Sequence, residues 1–294
     1  MNIPDFFEEM LLNSYDEETV KNIINGLIKK KTTLRVNTIK SNIDEIKEIL
    51  NKQNIKYSDV TFYKDALIIE SDVDLRILDI YKEGKIYLQS LSSMIPPIVL
   101  NPDINDRILD MAAAPGGKTC QIACLTNNEC FITAIEKNKI RKDRLKYNLD
   151  MQGVKKCTIL NIDATKIDDL FRFDKILLDS PCSGSGTLNN ENINNFSKEL
   201  VNNSIKIQEQ LLTKALNVLK PGSVMVYSTC SILKEENEEI LNKVLNKFDI
   251  EILPIDINNF KDIPLLPVTI EGTICVCPNE LFEGFFIAKI KKNR

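Results

Sequence analysis

The sequence contains neither histidine nor tryptophan among its 294 residues. Without histidine the chain lacks the usual general base, the commonest zinc ligand and the central member of a hydrolytic triad. Any proton transfer must therefore use Asp, Glu, Lys, Cys, Tyr or water. No apolar run approaches the roughly 20 residues that span a bilayer. Residues 1–5 show no signal-peptide character, so we expect no membrane association.

Eight cysteines are spread along the chain, and their spacing does not indicate a disulfide framework. Because no signal peptide is apparent, reduced thiols in the cytoplasm are expected. A zinc site is not expected either, since Cys275 and Cys277 lack a second pair at zinc spacing. Cys120, Cys124 and Cys130 occupy apolar positions typical of a helix or strand. The sequence therefore predicts a cytoplasmic protein without a metal.

Charge is distributed unevenly along the chain. The formal net charge of −4 is a modest argument against a nucleic-acid partner, since a basic surplus is the usual signature of one. Basic residues nevertheless cluster at 29–31, 137–146 and 289–294, while an acidic run occupies 235–239. Each basic run taken alone is typical of a solvated helix face, so charge leaves the partner open.

The first 95 residues have the pattern of a small α+β unit. Apolar spacing predicts a helix over 6–30 and another over 43–53, the second capped by Ser41 or Asn42. Short strands are predicted at 34–37, 60–62 and 66–69. The pair Pro96-Pro97 marks a join, which divides the chain into residues 1–95 and 96–294.

From residue 96 onward, strand and helix patterns alternate, which is typical of a parallel sheet covered on both faces. Predicted strands lie at 108–111, 131–135, 157–161, 175–178, 223–227, 250–252 and 285–290. Predicted helices lie at 119–125, 139–151, 201–219 and 234–246, and Lys220-Pro221-Gly222 ends the third. The predicted fold class is therefore α/β.

A loop of small residues follows the first strand of this sheet: Ala112, Ala113, Ala114, Pro115, Gly116 and Gly117, then Lys118. Small residues let the backbone approach a bound molecule closely. The spacing matches neither the Gly-x-Gly-x-x-Gly of dinucleotide binders nor a full phosphate loop. A small neutral or zwitterionic ligand is therefore favoured over a phosphate.

Carboxylates follow the next two strands. Glu136 ends the second strand, where an acid can accept hydrogen bonds from both hydroxyls of a ribose. Asp163 follows the third strand, where it can accept from the exocyclic amine of an adenine. Either acid alone is typical of a solvated loop, but with the glycine loop they indicate a cofactor that contains a nucleoside.

Two cysteines follow the fourth and fifth strands, in Asp179-Ser180-Pro181-Cys182-Ser183 and Ser228-Thr229-Cys230-Ser231. Pro181 favours an extended backbone at Ser180, which presents Asp179 and Cys182 outward. Cys230 precedes a predicted helix N-terminus, and such a position favours a thiolate. One such cysteine alone is more often a small buried hydrophobe. Two of them on adjacent strand ends, beside a cofactor loop, predict a thiol nucleophile.

These strings resemble the RNA 5-cytosine methyltransferases of the Sun and Fmu family, which use S-adenosylmethionine. The resemblance includes residues 34–38, 88–97 and 284–288 and covers nearly the whole chain. It implies a class I, Rossmann-like methyltransferase domain in residues 96–294. Residues 1–95 would then form a small α+β domain that resembles an RNA-recognition domain.

The resemblance also implies roles for the site residues. Cys230 would attack carbon 6 of cytosine, Cys182 would assist product release, and Asp179 would bind the cytosine edge. The competing assignment, in which Cys182 is the nucleophile as in DNA 5-cytosine methyltransferases, stays open. The S-adenosylmethionine site would be formed by Ala112, Ala113, Ala114, Pro115, Gly116, Gly117, Lys118, Glu136, Arg141, Asp163 and Asp179.

The chain departs from the family at three places. Ala112 stands where cysteine is common, Cys275 stands where arginine is common, and residues 187–192 lack basic side chains. The last two departures concern RNA contacts rather than chemistry. The compact length resembles the short archaeal tRNA enzymes, so we expect a monomer that acts on tRNA, with rRNA as the alternative substrate. The alternative class is a catalytically silent protein that binds RNA.

Overall fold

Two sheets organise the chain, and a computed structural model describes them over residues 3–294. The helices are α1 (Asp5–Ser14), α2 (Glu17–Gly26), α3 (Ile43–Lys52), α4 (Asp79–Lys82), α5 (Leu91–Leu100), α6 (Gly117–Leu125), α7 (Lys139–Gln152), α8 (Lys198–Val218) and α9 (Glu238–Leu245). The strands are β1 (Thr33–Val36), β2 (Tyr57–Asp59), β3 (Ala66–Ile69), β4 (Ile86–Leu88), β5 (Arg107–Asp110), β6 (Phe131–Ile135), β7 (Cys157–Leu160), β8 (Phe173–Asp179), β9 (Leu219–Thr229), β10 (Ile250–Leu253), β11 (Leu265–Leu266), β12 (Ile274–Val276) and β13 (Phe285–Lys292).

The smaller sheet is antiparallel, with strand order β2-β3-β1-β4. Helix α3 covers it, and the side chain of Asn42 accepts from the backbone N–H of Glu45, which confirms the predicted cap. Apolar residues of the sheet and of α3 form a separate core. That core explains why this part of the chain has the pattern of an α+β unit.

Two predictions for residues 1–95 are wrong in detail, and one strand was not predicted. The helix expected over 6–30 is two helices, because Tyr15 is extended and Asp16 caps α2 by accepting from the N–H of Thr19. The strand expected at 60–62 lies instead at Tyr57–Asp59, and β4 was not predicted because it is only three residues long. Helices α1 and α2 bury residues such as Phe7 and Leu11 in the core of the larger sheet.

The larger sheet runs β11-β12-β13-β9-β8-β5-β6-β7, and β10 pairs with β13. Strands β5 to β9 are parallel, while β13 is antiparallel to β9. The chain order reverses between β5 and β8, so a crevice opens at their carboxyl ends. Both faces are covered by apolar clusters, as the alternating pattern predicts. The α/β class is confirmed.

Pro96 and Pro97 lie inside helix α5, although their sequence suggested a join. The helix packs against α6, β8 and β9 of the larger sheet. The division at residue 95 falls within this helix and stays a prediction.

The predicted helix at 234–246 is also different in the structure. Residues Lys234–Glu236 form a single 3-10 turn, and α9 begins only at Glu238. The preceding long helix ends at Val218, and Gly222 adopts the expected positive φ of 77°.

Candidate active site

The loop of small residues leaves β5 at Asp110 and enters helix α6. Gly116 caps the helix with φ of 110°, and a Cβ there would lie 3.0 Å from a methyl carbon of Leu145. Glycine is therefore required by backbone conformation and by the close approach of α7. Helix α7 also holds the loop, since Arg141 Nη2 donates to Ala114 O at 2.9 Å and Asn148 Nδ2 donates to Pro115 O at 2.7 Å.

Asp110 anchors the start of this loop from a fully buried position. Its Oδ2 accepts from Thr119 Oγ1 at 2.6 Å. Burial raises the pKa of Asp110 to about 6, in spite of that hydrogen bond, and repulsion from Asp179 adds to the effect. The carboxyl group at the base of the loop is thus poorly stabilised as an anion.

A first cavity of about 270 Å³ lies at the ends of β5, β6, β7 and β8. Among the predicted residues it is lined by Ala112, Ala114, Glu136, Arg141, Asp163, Asp179, Cys182 and Cys230. The structure therefore gathers the carboxylates of three successive strand ends with both cysteines.

The two carboxylates predicted to bind a nucleoside are held by local hydrogen bonds. Glu136 is 5% exposed, accepts from Asn138 N at 2.8 Å and lies 3.4 Å from Arg141 Nε. Asp163 accepts from the N–H and the hydroxyl of Thr165, and these hydrogen bonds hold its pKa below the usual range. Both side chains are therefore fixed acceptors at the cavity wall.

A second cavity, of about 330 Å³, lies on the other side of the same loop. It is lined by Ala113, Pro115, Gly117 and Lys118 of the predicted cofactor loop, together with Ser93, Thr187, Glu283 and Phe285. Ala112, Ala114, Asp179 and Cys230 line both cavities. Gly116 lines neither of them, so its contribution is to the loop's shape.

Asp179 and Lys118 form an ion pair at the boundary of the two cavities. Their Oδ2 and Nζ atoms lie 2.8 Å apart, and Asp179 Oδ1 accepts from Ser228 Oγ at 2.8 Å. Lys118 also donates to Ser93 Oγ at 2.6 Å. Burial alone would lower the pKa of Lys118, but attraction to Asp179, assisted by the nearby Cys230, raises it. A stable cation therefore lies beside Cys230.

The two cysteines meet as the sequence predicts. Strands β8 and β9 pair in parallel with Asp179 opposite Ser228, and Cys182 Sγ lies 3.2 Å from Cys230 Sγ. The hydrogen bond to Cys230, burial and the neighbouring charge of Glu236 raise the pKa of Cys182 well above its usual value. The predicted helix N-terminus beside Cys230 is wrong, because α9 begins eight residues later at Glu238.

Sequence reasoning missed two groups at this site. Ser228 holds Asp179, and its place in the Ser-Thr-Cys-Ser string was the only signal for it. Glu236 is fully buried against both cysteine loops, although it belongs to an acidic run that is typical of solvent. No local pattern distinguishes it from its exposed neighbour Glu239.

The basic residues of α7 are only partly available to a partner. Lys142 pairs with Asp143, Lys146 with Asp150, and Arg141 with Glu136. Lys137, Lys139 and Arg144 are exposed, as are Ile140 and Tyr147 on the same helix. The helix thus presents a mixed basic and apolar surface next to the loop it holds.

Among residues 3–294, no set of three or more His, Cys, Asp or Glu side chains converges to hold a metal ion. The helices described there are all too short or too polar to cross a membrane.

A Rossmann-like sheet with a small-residue loop after its first strand and acids after the next strands defines a class I methyltransferase fold. The two thiols on neighbouring strand ends narrow that class to methyltransferases with a pair of cysteines at these positions. Residues 97–291 match the family described as 16S rRNA methyltransferase RsmB/F, and residues 3–76 match the ferredoxin-like domain described for RsmF/B-like methyltransferases. The chain belongs to this family.

Relatives of known name extend the match. Ribosomal RNA small subunit methyltransferase F of Vibrio campbellii is 33% identical over 272 residues, which are 89% of this chain and 57% of that protein. The enzyme of the same name from Aliivibrio salmonicida is 34% identical over 276 residues, with 90% and 58% covered. The chain thus spans somewhat over half the length of these relatives.

Solved structures share the fold over almost the whole chain. A methyltransferase homolog protein from Pyrococcus horikoshii is 31% identical with a TM-score of 0.81, covering 99% of this chain and 100% of that one. NSun6 from Pyrococcus horikoshii, solved with SFG, has a TM-score of 0.88 at 24% identity, with 99% and 98% covered. At that identity the second likeness concerns the fold alone.

Proposed function

We propose that this protein transfers a methyl group from S-adenosylmethionine to carbon 5 of cytosine in RNA, through a covalent adduct with Cys230. The observation that carries the proposal is the pair of thiols 3.2 Å apart, of which Cys182 lines the first cavity and Cys230 lines both. One cavity suits the cofactor and the other suits the base. Asp179 and Cys230 face both of them.

The first cavity fits the polar groups of S-adenosylmethionine. Glu136 offers a fixed carboxylate for the two ribose hydroxyls, and Asp163 offers one for the adenine amine. Arg141 braces the loop of residues 112–118 through Ala114, which lines the first cavity. When bound there, the cofactor supplies an electrophilic methyl group. Every other step uses side chains of this chain.

Carbon 5 of cytosine is a poor nucleophile until carbon 6 is attacked. In the proposed step the Cys230 thiolate forms a bond to carbon 6, and the electron pair of the 5,6 double bond becomes available at carbon 5. Lys118 favours the thiolate by its charge, and Asp179 offers a hydrogen bond to the cytosine edge where charge develops. Carbon 5 would then form its bond to the methyl group as the methyl–sulfur bond of the cofactor breaks, with its electron pair going to sulfur.

Release requires a base for the proton on carbon 5, and Cys182 is the side chain placed for it. The hydrogen bond to Cys230 is the largest cause of the raised pKa of Cys182. Once Cys230 is a neutral thioether, that cause disappears, so Cys182 gives its proton to water more readily and becomes a base. It then takes the proton from carbon 5, the double bond re-forms, and Cys230 leaves as a thiolate.

RNA is proposed as the substrate, with tRNA first and rRNA second. The choice of tRNA rests on the resemblance of the sequence to the short archaeal tRNA enzymes. The names of the bacterial relatives, which are longer, favour rRNA. Phosphate contacts are assigned to the smaller sheet, to Lys137 just before α7, and to Lys139 and Arg144 of α7. An enzyme of this kind would act in the cytoplasm, as a monomer.

The direct test is methyl transfer by the purified chain to tRNA and 16S rRNA transcripts, with bisulfite sequencing of the product. We expect new 5-methylcytosine in one of the two RNAs. Calorimetry should show cofactor binding that is largely lost in Glu136→Ala and kept in Glu129→Ala, whose exposed carboxylate pairs with Lys156. Cofactor and RNA binding without transfer would instead identify a silent RNA-binding protein.

A further inference from the structure

Glu236 is a buried carboxylate that the proposed chemistry does not use. Its Oε1 accepts from the backbone N–H of Ser183 at 2.8 Å and from Gln208 Nε2 at 3.2 Å. Its Oε2 accepts from the hydroxyls of Ser183 and Ser231, both at 2.6 Å. Among residues 3–294 no lysine or arginine forms an ion pair with it. Four donated hydrogen bonds therefore stabilise the buried carboxylate in place of a cation.

The two serines directly follow the two cysteines of the site. Ser183 follows Cys182 and Ser231 follows Cys230, so one carboxylate joins the two loops at equivalent positions. Further bonds join the same loops: the hydroxyls of Ser185 and Ser231 lie 2.8 Å apart, and Gly186 N donates to the carbonyl of Cys230 at 3.0 Å. These hydrogen bonds between the two loops thus fix the separation of the thiols.

Charge is placed unevenly about the thiols. Glu236 makes two hydrogen bonds to Ser183, next to Cys182, and one to Ser231, next to Cys230, and its charge helps to raise the pKa of Cys182, whereas the Lys118 cation lies beside Cys230. When the two thiols share one proton, these charges therefore favour its binding to Cys182. This arrangement matches the order of events in which Cys230 must act first.

We propose that Glu236 is a positioning residue for both thiols, whose hydrogen bonds fix their separation and whose charge keeps the shared proton on Cys182. The inference rests on the proposed function for its meaning in catalysis. The effect of the Glu236 charge on Cys182, and its hydrogen bonds to the two loops, can be measured without catalytic turnover.

Glu236→Gln removes the charge of this side chain and keeps its hydrogen bonds. The amide oxygen can still accept from Ser183 N and Gln208, and the amide nitrogen can donate to the two serine hydroxyls, which also accept. Ser231→Ala does the reverse, since it removes two hydrogen bonds of the brace, to Glu236 and to Ser185, and keeps the charge. The matched control is Glu238→Gln, because Glu238 is equally buried in the same segment but bonds Thr269 and Ile270.

The first readout is the pH dependence of Cys182 alkylation by iodoacetamide, followed by mass spectrometry of its peptide in full-length chains that carry Cys230→Ser. We expect the midpoint to move to lower pH in Glu236→Gln and to stay unchanged in Ser231→Ala and Glu238→Gln. The thermal unfolding midpoint of each chain checks that it is folded.

The second readout is methyl transfer with Cys230 intact. We expect kcat to fall about tenfold in Glu236→Gln, because the shared proton is then held less firmly on Cys182, with KM values near those of the parent. Ser231→Ala should also lower kcat, and Glu238→Gln should not. The inference is overturned if Glu236→Gln keeps the parent's alkylation profile, or if Glu238→Gln shifts it equally. If the parent transfers no methyl group, the proposed function fails, and alkylation still decides whether Glu236 acts on Cys182.

Discussion

The loops that carry Cys182 and Cys230 are alike in sequence and different in surroundings. Each places a cysteine followed by a serine after a parallel strand, and both serines bond the same carboxylate. Lys118 lies beside Cys230, whereas the charge of Glu236 acts on Cys182. The comparison teaches that neighbouring charges, more than the cysteine motifs themselves, distinguish two otherwise similar thiols.

The strongest test of this difference is Cys230→Ser. A hydroxyl is a far weaker nucleophile than a thiolate, so we expect methyl transfer to be abolished. The measurement is incorporation of labelled methyl groups into RNA, with cofactor binding by calorimetry as the control for folding. Residual transfer near the parent's rate would assign the attack to Cys182.

Cys182→Ala should give the opposite kind of defect. Carbon 6 is still attacked and the methyl group is transferred, but the proton on carbon 5 stays and the protein remains joined to RNA. We expect a slowly migrating band on a denaturing gel that needs both RNA and cofactor. The double variant, Cys182→Ala with Cys230→Ser, should lack the band. A band from Cys230→Ser alone would reverse the assignment.

Lys118→Met tests the cation on the Cys230 side. Loss of that charge removes stabilisation of the thiolate and of Asp179, so we expect adduct formation to slow by about a hundredfold. Single-turnover kinetics at saturating cofactor would measure it. Lys118→Arg keeps the charge and should recover much of the rate, while equal loss in both variants would show that only the shape of the lysine matters.

The smallest expected effect concerns Asp110, whose charge is opposed by burial and by Asp179. Its folded pKa, about 6, lies above the ordinary 3.8, so ionisation lowers stability as pH rises through that range. Asp110→Asn keeps an acceptor for Thr119 and removes the charge. The variant should be more stable at pH 8, by roughly 3 kcal/mol at most.

Urea unfolding at several pH values checks this last expectation. The advantage of Asp110→Asn should shrink below pH 6 and vanish only below about pH 3, because the parent's carboxyl is then protonated in both the folded and the unfolded state. If Asp110→Asn is more stable than the parent by the same amount at every pH, ionisation of the Asp110 carboxyl is not the cause of the difference in stability.

Much of the site could be predicted because strand ends in a parallel sheet converge. The positions of Glu136, Asp179, Cys182 and Cys230 followed from apolar runs and what comes after them. The burial of Glu236 could not be predicted, because its partners come from two distant loops. The break at Tyr15 was missed since apolar spacing continues across it, and β4 was too short to give a pattern.

The wall shared by the two cavities has a consequence for inhibitor design. Ala112, Ala114, Asp179 and Cys230 line both a space of about 270 Å³ and one of about 330 Å³. A bisubstrate compound, with an adenosine fragment tethered to a pyrimidine, would cross that wall with a short linker. Its second fragment would bind at high effective concentration once the first is seated. Selectivity over methyltransferases with a single cavity would come from the tether itself.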